Sequence, residues 1–176
     1  PEDETLLIDY INSSSEATKF IIAPHNIDLN QIKSMIKRLK KPTVCYSNYA
    51  NETLEDKSVF IVDTIGLLSK IYSYADIAYI GGGMGASGLH NTLEAATFGL
   101  PIVIGKNYKK FPEAKAMLSK GGLFSIHTFE SLESTLNMLI NDAQKRIESG
   151  QKNKDYIKDN KGASELVMSE LKTLLK

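Results

Sequence analysis

Four glycines fall within five residues (Gly81, Gly82, Gly83 and Gly85), Gly88 follows, and His90, Asn91 and Glu94 come directly after. A glycine-rich turn feeding a helix lets a ligand approach bare backbone amides where the helix dipole is positive, which suits an anion. Asn91-Thr92-Leu93-Glu94 also has the spacing of a capping box, a structural device. With the helix opening near Gly88 and Ser87 as its N-cap, Asn91 lies inside it and shares a face with Glu94. On that face a carboxylate can accept two hydrogen bonds from a vicinal diol such as a ribose, while Asn91 and the amides below address a phosphate. The alternative, that the glycines only let strand and helix pack closely, stays open. The turn does not match G-x-G-x-x-G with a following acidic residue, and it lacks a G-K-S/T ending, so nucleoside triphosphate hydrolysis is disfavoured.

Weaker signals stand beside it. His25 follows the strand-ending Pro24, and alone it reads as a solvated loop histidine. Asp63-Thr64-Ile65-Gly66 follows another strand end and reads equally well as an N-cap with a close-packing glycine. The single cysteine, Cys45, reads as a small buried hydrophobe, and one cysteine excludes an internal disulfide. Lys+Arg and Asp+Glu both number 21, so no net field attracts nucleic acid or an anionic membrane. No apolar run approaches the ~20 residues of a spanning helix. No Asp/His cluster has metal-ligand spacing. The chain opens on Pro1 rather than methionine, which leaves room for a longer protein upstream.

The elements that must position these residues follow from hydropathy patterning. Asp3–Asn12 has acidic residues first and apolar residues at helical spacing. Lys19–Pro24, Pro42–Tyr46, Ser58–Val62, Ile77–Ile80, Ile102–Ile104 and Leu123–Ile126 read as short buried strands. Between them, Leu29–Lys40 places Leu29, Ile32, Met35, Ile36 and Leu39 on one face of a helix capped by Asp28. Thr64–Tyr74, capped by Asp63 or Thr64, and Leu89–Phe98 are predicted helical, as is Pro112–Lys120, stopped by Gly121-Gly122. Helices over Leu132–Ile140 and Ala163–Leu175 flank a polar stretch whose charge-rich part, Lys152–Lys161, reads as a solvated face. Continuously apolar strands alternating with helices predict an α/β fold, one parallel sheet with helices on both faces. The 176 residues then form one domain, 1–176. Ligands in such sheets bind beyond the strand C-termini, where the loops after Pro24, after Tyr46, at Asp63–Leu67 and at Gly81–Gly88 converge.

The run V-D-T-I-G-L-L-S-K-I-Y-S-Y-A-D-I-A-Y-I-G-G-G-M-G-A-S-G-L-H-N-T-L-E-A-A-T-F-G-L-P, Val62–Pro101, resembles the C-terminal domain of Kdo transferases. The resemblance extends from Ala23-Pro24 to Gly122-Leu123. Its most specific piece is Gly82-Gly83 through Ala95-Ala96, supported by Asp63-Thr64-Ile65-Gly66. It implies a Rossmann-like domain, half of a GT-B glycosyltransferase that moves 3-deoxy-D-manno-octulosonic acid from CMP-Kdo to a lipid A precursor during lipopolysaccharide synthesis. Three CMP-contacting segments are implied, at Pro24-His25, Ile65-Gly66-Leu67 and Asn91-Thr92-Leu93-Glu94, with Gly82, Gly83 and His90 beside them. The family has proline, arginine, histidine where this chain has Pro24-His25-Asn26.

The resemblance also implies an acceptor-binding N-terminal domain outside this chain that carries the general base, so no catalytic residue is expected among these 176 residues. The chain starts after the first strand of the family domain, so the sheet is expected to lack one strand. No cofactor and no metal are expected, because a glycine nest can neutralise a single phosphate. The implied setting is the cytoplasmic face of the bacterial inner membrane, with membrane contact through the full-length protein and no nucleic-acid partner. The isolated chain is expected to bind CMP weakly and turn nothing over. A GT-B enzyme using a UDP- or GDP-sugar and a non-catalytic nucleotide-binding module remain the alternatives.

Overall fold

Acidic residues at the head of the first helix and a glycine turn eighty residues later end up hydrogen-bonded to each other, and the architecture exists to bring them there. The computed structural model of the protein describes residues 2–86 and 88–174. Helix α1 (Glu2–Ser13) is followed by strand β1 (Phe20–Ile22), α2 (Leu29–Arg38), β2 (Thr43–Cys45) and β3 (Val59–Ile61). Then come α3 (Leu68–Ile71), β4 (Ala78–Ile80), α4 (Leu93–Thr97), β5 (Ile102–Ile104), α5 (Pro112–Lys120) and β6 (Leu123–Ser125). Three helices close the described chain, α6 (Phe129–Asn141), α7 (Ala143–Asp159) and α8 (Ala163–Leu174).

All strand pairings are parallel, but the expected single sheet is two three-stranded sheets, ordered β1-β3-β2 and β4-β5-β6. Side chains join them: Phe20 of β1 packs in one apolar cluster with Ile77 and Tyr79 from around β4. Alternation along each strand then sends successive residues to opposite faces. Ile102 and Ile104 of β5 pack with Ala95, Ala96, Ala114 and Met117 of α4 and α5, whereas Val103 between them packs with Leu132, Leu136 and Leu139 of α6. Both faces are covered by helices, as the apolar strands required. Helix α1 serves both sheets, because Ile8 and Ile11 join the cluster beneath β3 while Tyr10 joins the one beneath β5.

Local chemistry explains most boundaries. Asp28 caps α2 by accepting from the Asn30 and Gln31 amides at 2.9 and 2.8 Å. Ile32, Met35 and Leu39 are buried on the predicted face, but Leu29 at its start is 67% exposed. Asp28→Ala should destabilise the protein by about 1 kcal/mol, read as an earlier urea midpoint with an unchanged slope. Gly121 ends α5 in the left-handed conformation, φ +78°, as expected of a helix-stopping glycine.

Two predicted helices are shorter than their patterns. The Thr64–Tyr74 segment is helical only in α3 and the 3₁₀ turn Tyr72–Tyr74 after it. Gly66, at φ +89°, cannot sit in a right-handed helix, and the Asp63 carboxylate is turned away to accept from the Ser47 amide and hydroxyl. The Leu89–Phe98 segment is helical only in α4, because the His90 amide donates back to the Gly81 carbonyl at 3.0 Å. Ser87, the expected cap, lies outside the described residues, as do Pro1 and Leu175. The polar stretch after Ile140 is instead the longest helix, α7, capped by Asp142. Its buried positions are Ser149, Gly150 and Asn153, so it carries no apolar stripe to betray it.

Candidate functional site

The glycine turn is a backbone-on-backbone contact. A Cβ on Gly82, whose φ is +86°, would land on the Gly88 carbonyl, and one on Gly83 would press into the backbone of Gly105 just beyond β5. Both residues are buried. The turn is held from two sides. Asn107 donates its amide to the Gly83 carbonyl at 2.8 Å and its side-chain amide to the carbonyls of Met84 and Gly85 at 3.1 and 2.8 Å. From α1, the Asp3 carboxylate accepts from the Tyr79 hydroxyl at 2.6 Å and from the Met84 amide at 3.3 Å. Burial and that bonded carboxylate push the Tyr79 phenol well up, so it stays a donor.

Asp3 and Asn107 were not legible as site residues. Asp3 reads as an ordinary acidic helix start, and nothing local links it to a turn about eighty positions on. Asn107 stands where a loop after a buried strand often carries an asparagine.

The ends of β1 and β4 meet at this turn. The imidazoles of His25, beyond β1, and His90, beyond β4, stack with ring centroids 4.4 Å apart and planes inclined by 28°. Both side chains are exposed, and Pro24 beside them is half-buried. Burial, and then the His25 ring, hold the His90 imidazole below its usual range, while the Asp3 carboxylate pulls the other way.

Asn91 lies ahead of α4, not inside it. Its side-chain oxygen accepts from the Leu93 amide at 3.0 Å, so it works as the local cap and does not share a helical face with Glu94. Glu94, half-buried in the first turn of α4, lies close enough to Tyr72 that its charge, after burial, helps push that phenol up. Thr92 is 1% exposed and its hydroxyl has no hydrogen-bond partner. Leu93 is 39% exposed. A helix of five residues has little dipole to offer an anion.

The third predicted segment stands beyond β3, the neighbour of β1. Ile65 is 91% exposed, Gly66 has open space where a side chain would be, and Leu67 is half-buried ahead of α3. The Thr64 hydroxyl beside it is buried without a partner. The predicted residues thus gather in two steps. His25 and His90 meet directly, with Gly82 close to the His90 ring; Pro24, Gly83 and Asn91 through Glu94 adjoin them along the chain, and Ile65-Gly66-Leu67 stand beyond β3, the strand next to β1.

Cys45, also near this edge, is half-buried, and burial followed by the Asp63 charge raises its thiol, which suits packing better than nucleophilic attack. Among the described residues, no group of three or more His, Cys, Asp or Glu side chains converges in a way that could hold a metal. No described helix is long and apolar enough to cross a membrane.

Parallel sheets with helices on both faces and a glycine turn at the strand ends define a Rossmann-like α/β domain. The fold matches the C-terminal CMP-Kdo binding domain of WaaA from Acinetobacter baumannii with a TM-score of 0.69 at 19% identity, over 87% of this chain and 83% of that one. It also matches the C-terminal domain of the group 1 glycosyl transferase LpcC from Francisella tularensis, with a TM-score of 0.60 at 16% identity over 92% and 80% of the two chains. By sequence the chain is similar to 3-deoxy-D-manno-octulosonic acid transferases. It is 32% identical over 123 residues to the enzyme of that name from Haemophilus influenzae, a match covering 69% of this chain. That match spans only 29% of the Haemophilus protein, so the chain corresponds to about a third of such a relative. No family model matches the chain.

Proposed function

We propose that the chain is the donor-binding domain of a glycosyltransferase that moves Kdo from CMP-Kdo to a lipid A precursor. The observation that carries this reading is the placement of G-G…H-N-T-L-E-A-A, with Glu94 heading α4, at the edge where β1 and β4 end. The Glu94 carboxylate holds the ribose diol. Gly82, Gly83, His25, His90 and Asn91 receive the phosphate, and Pro24, Ile65, Gly66, Leu67, Thr92 and Leu93 shape the nucleotide's bed.

In the reaction the bond from the Kdo anomeric carbon to the phosphate oxygen breaks, and an acceptor hydroxyl bonds to that carbon. The glycine-turn amides and the imidazoles stabilise the negative charge that develops on the leaving CMP. The acceptor's proton goes to a base on a separate N-terminal domain, so this chain holds the donor without completing the chemistry. No metal is needed for a donor with one phosphate. The acceptor places the whole enzyme at the cytoplasmic face of the inner membrane.

Calorimetric titration of CMP, UMP and GMP tests the assignment. CMP should bind most tightly, and Glu94→Ala should weaken it by about 10- to 100-fold, the value of a hydrogen-bonded charge. Equal binding of all three nucleotides, untouched by Glu94→Ala, would sink it.

A further inference from the structure

The two imidazoles that meet at the glycine turn come from different sheets, and each brings a chemistry the turn's backbone lacks: a positive charge that can be switched on. Their rings stack at 4.4 Å, and both side chains are exposed to an incoming ligand. Two protonated imidazoles at that distance repel, so one positive charge is the natural limit for the stack, and the proton belongs to the pair. We infer that the His25–His90 stack is the cation for the donor's phosphate, binding it as a singly protonated unit that takes up one proton as the anion arrives. This rests on the donor-site reading above and specifies how that site handles charge.

The surroundings fit a proton that arrives with the ligand. On α1, the Asp3 carboxylate acts on His90 but is engaged by the Tyr79 hydroxyl and the Met84 amide, and it opposes the burial and the His25 ring that lower the proton affinity of His90. Also on α1, the Glu2 carboxylate stands over Gly85, further along the turn. From the glycine turn, Gly81 and Gly82 lie close to the His90 ring. On His25's side, the next acidic residue along the chain, Asp28, is occupied as the cap of α2. Asp3 and Asp28 are thus both engaged in hydrogen bonds of their own, and an anion set against the stack supplies a counter-charge to it.

The sign follows directly. Binding an anion raises the proton affinity of the stack, so the complex holds a proton that the free protein lacks in the window between the free and bound values. Affinity must then fall as pH rises through that window, by as much as tenfold per unit.

The probe is cytidine 5′-(methyl phosphate), a diester with one charge throughout. CMP itself is unsuitable, because its second phosphate ionisation near pH 6 overlaps the histidines. Calorimetry at pH 6, 7 and 8, in buffers of different ionisation enthalpy, should show uptake approaching one proton per diester at pH 7 and binding weaker by roughly 30-fold at pH 8 than at pH 6. His25→Arg should abolish both the pH slope and the proton uptake, because a guanidinium brings its charge without a proton from solution. His90→Gln should abolish the slope and weaken binding. Both positions are exposed, and a wild-type imidazole NMR titration with and without the diester reads the same shift without any variant. Binding that depends on Glu94 but is flat in pH, or a slope that survives His25→Arg, overturns the proton-coupled pair alone. Absence of saturable diester binding at every pH, or binding indifferent to Glu94→Ala, overturns the donor site and the pair with it.

Discussion

Gly105→Ala should lower the stability of this protein by about 3 kcal/mol and its melting temperature by roughly 6–12 °C, while abolishing nucleotide binding. The added methyl would overlap the carbonyl group of Gly83 and the amide nitrogen of Met84. Backbone has no rotamer by which to escape, and the turn cannot slide because Asn107 holds the carbonyls of Gly83, Met84 and Gly85. Relief requires prising the glycine turn from β5, which also breaks the Asp3 bond to Met84. Scanning calorimetry checks the first part and CMP titration the second. A melting temperature within about 2 °C of wild type would mean that the two backbones are not in contact.

The second large effect lies at the opposite end of the strands. Asn153 of α7, with no exposed surface, donates both side-chain protons to carbonyls, those of Leu100 and Gly122, each at 2.7 Å. These carbonyls flank β5 and β6, so one amide fastens α7 across two strand entrances. Its side-chain oxygen fills the space that a Cβ on Gly122 would need. Asn153→Ala should destabilise by about 3 kcal/mol, since two buried carbonyls lose their donor and a small cavity opens. Asn153→Asp should be worse, because it sets a buried negative charge against two carbonyl oxygens. Urea unfolding measures both, and an aspartate variant as stable as wild type would refute this role for the side-chain donor.

These two positions show what could be read from the chain and what could not. Strands were legible because each is a short apolar run between breakers, as in Ile102–Ile104 after Pro101. The cap at Asp28 and the stop at Gly121 were legible because their chemistry is complete within a few residues. The extent of α4 was not, because a distant acceptor, the Gly81 carbonyl, takes the His90 amide that a longer helix would have used. Helix α7 was missed as a packed element because its buried face is Ser149, Gly150 and Asn153, polar or small where pattern reading looks for apolar residues. In the site, the residues on the glycine turn and on α4 announced themselves by type and spacing. Asp3, Asn107 and the meeting of His25 with His90 depend on which strand ends lie side by side, and that is set by tertiary packing.

The division into two small sheets has a thermodynamic consequence through α1. Two parallel sheets of three short strands, joined only through side chains, would ordinarily unfold as separate units. Here Ile8 and Ile11 of one helix complete the apolar layer of the first sheet, and Tyr10 that of the second, with its hydroxyl bonded to Asn137 of α6. Neither layer can be lost without undocking the helix that closes the other. Helix α1 is therefore the source of cooperativity, turning two marginal half-structures into a single melting unit.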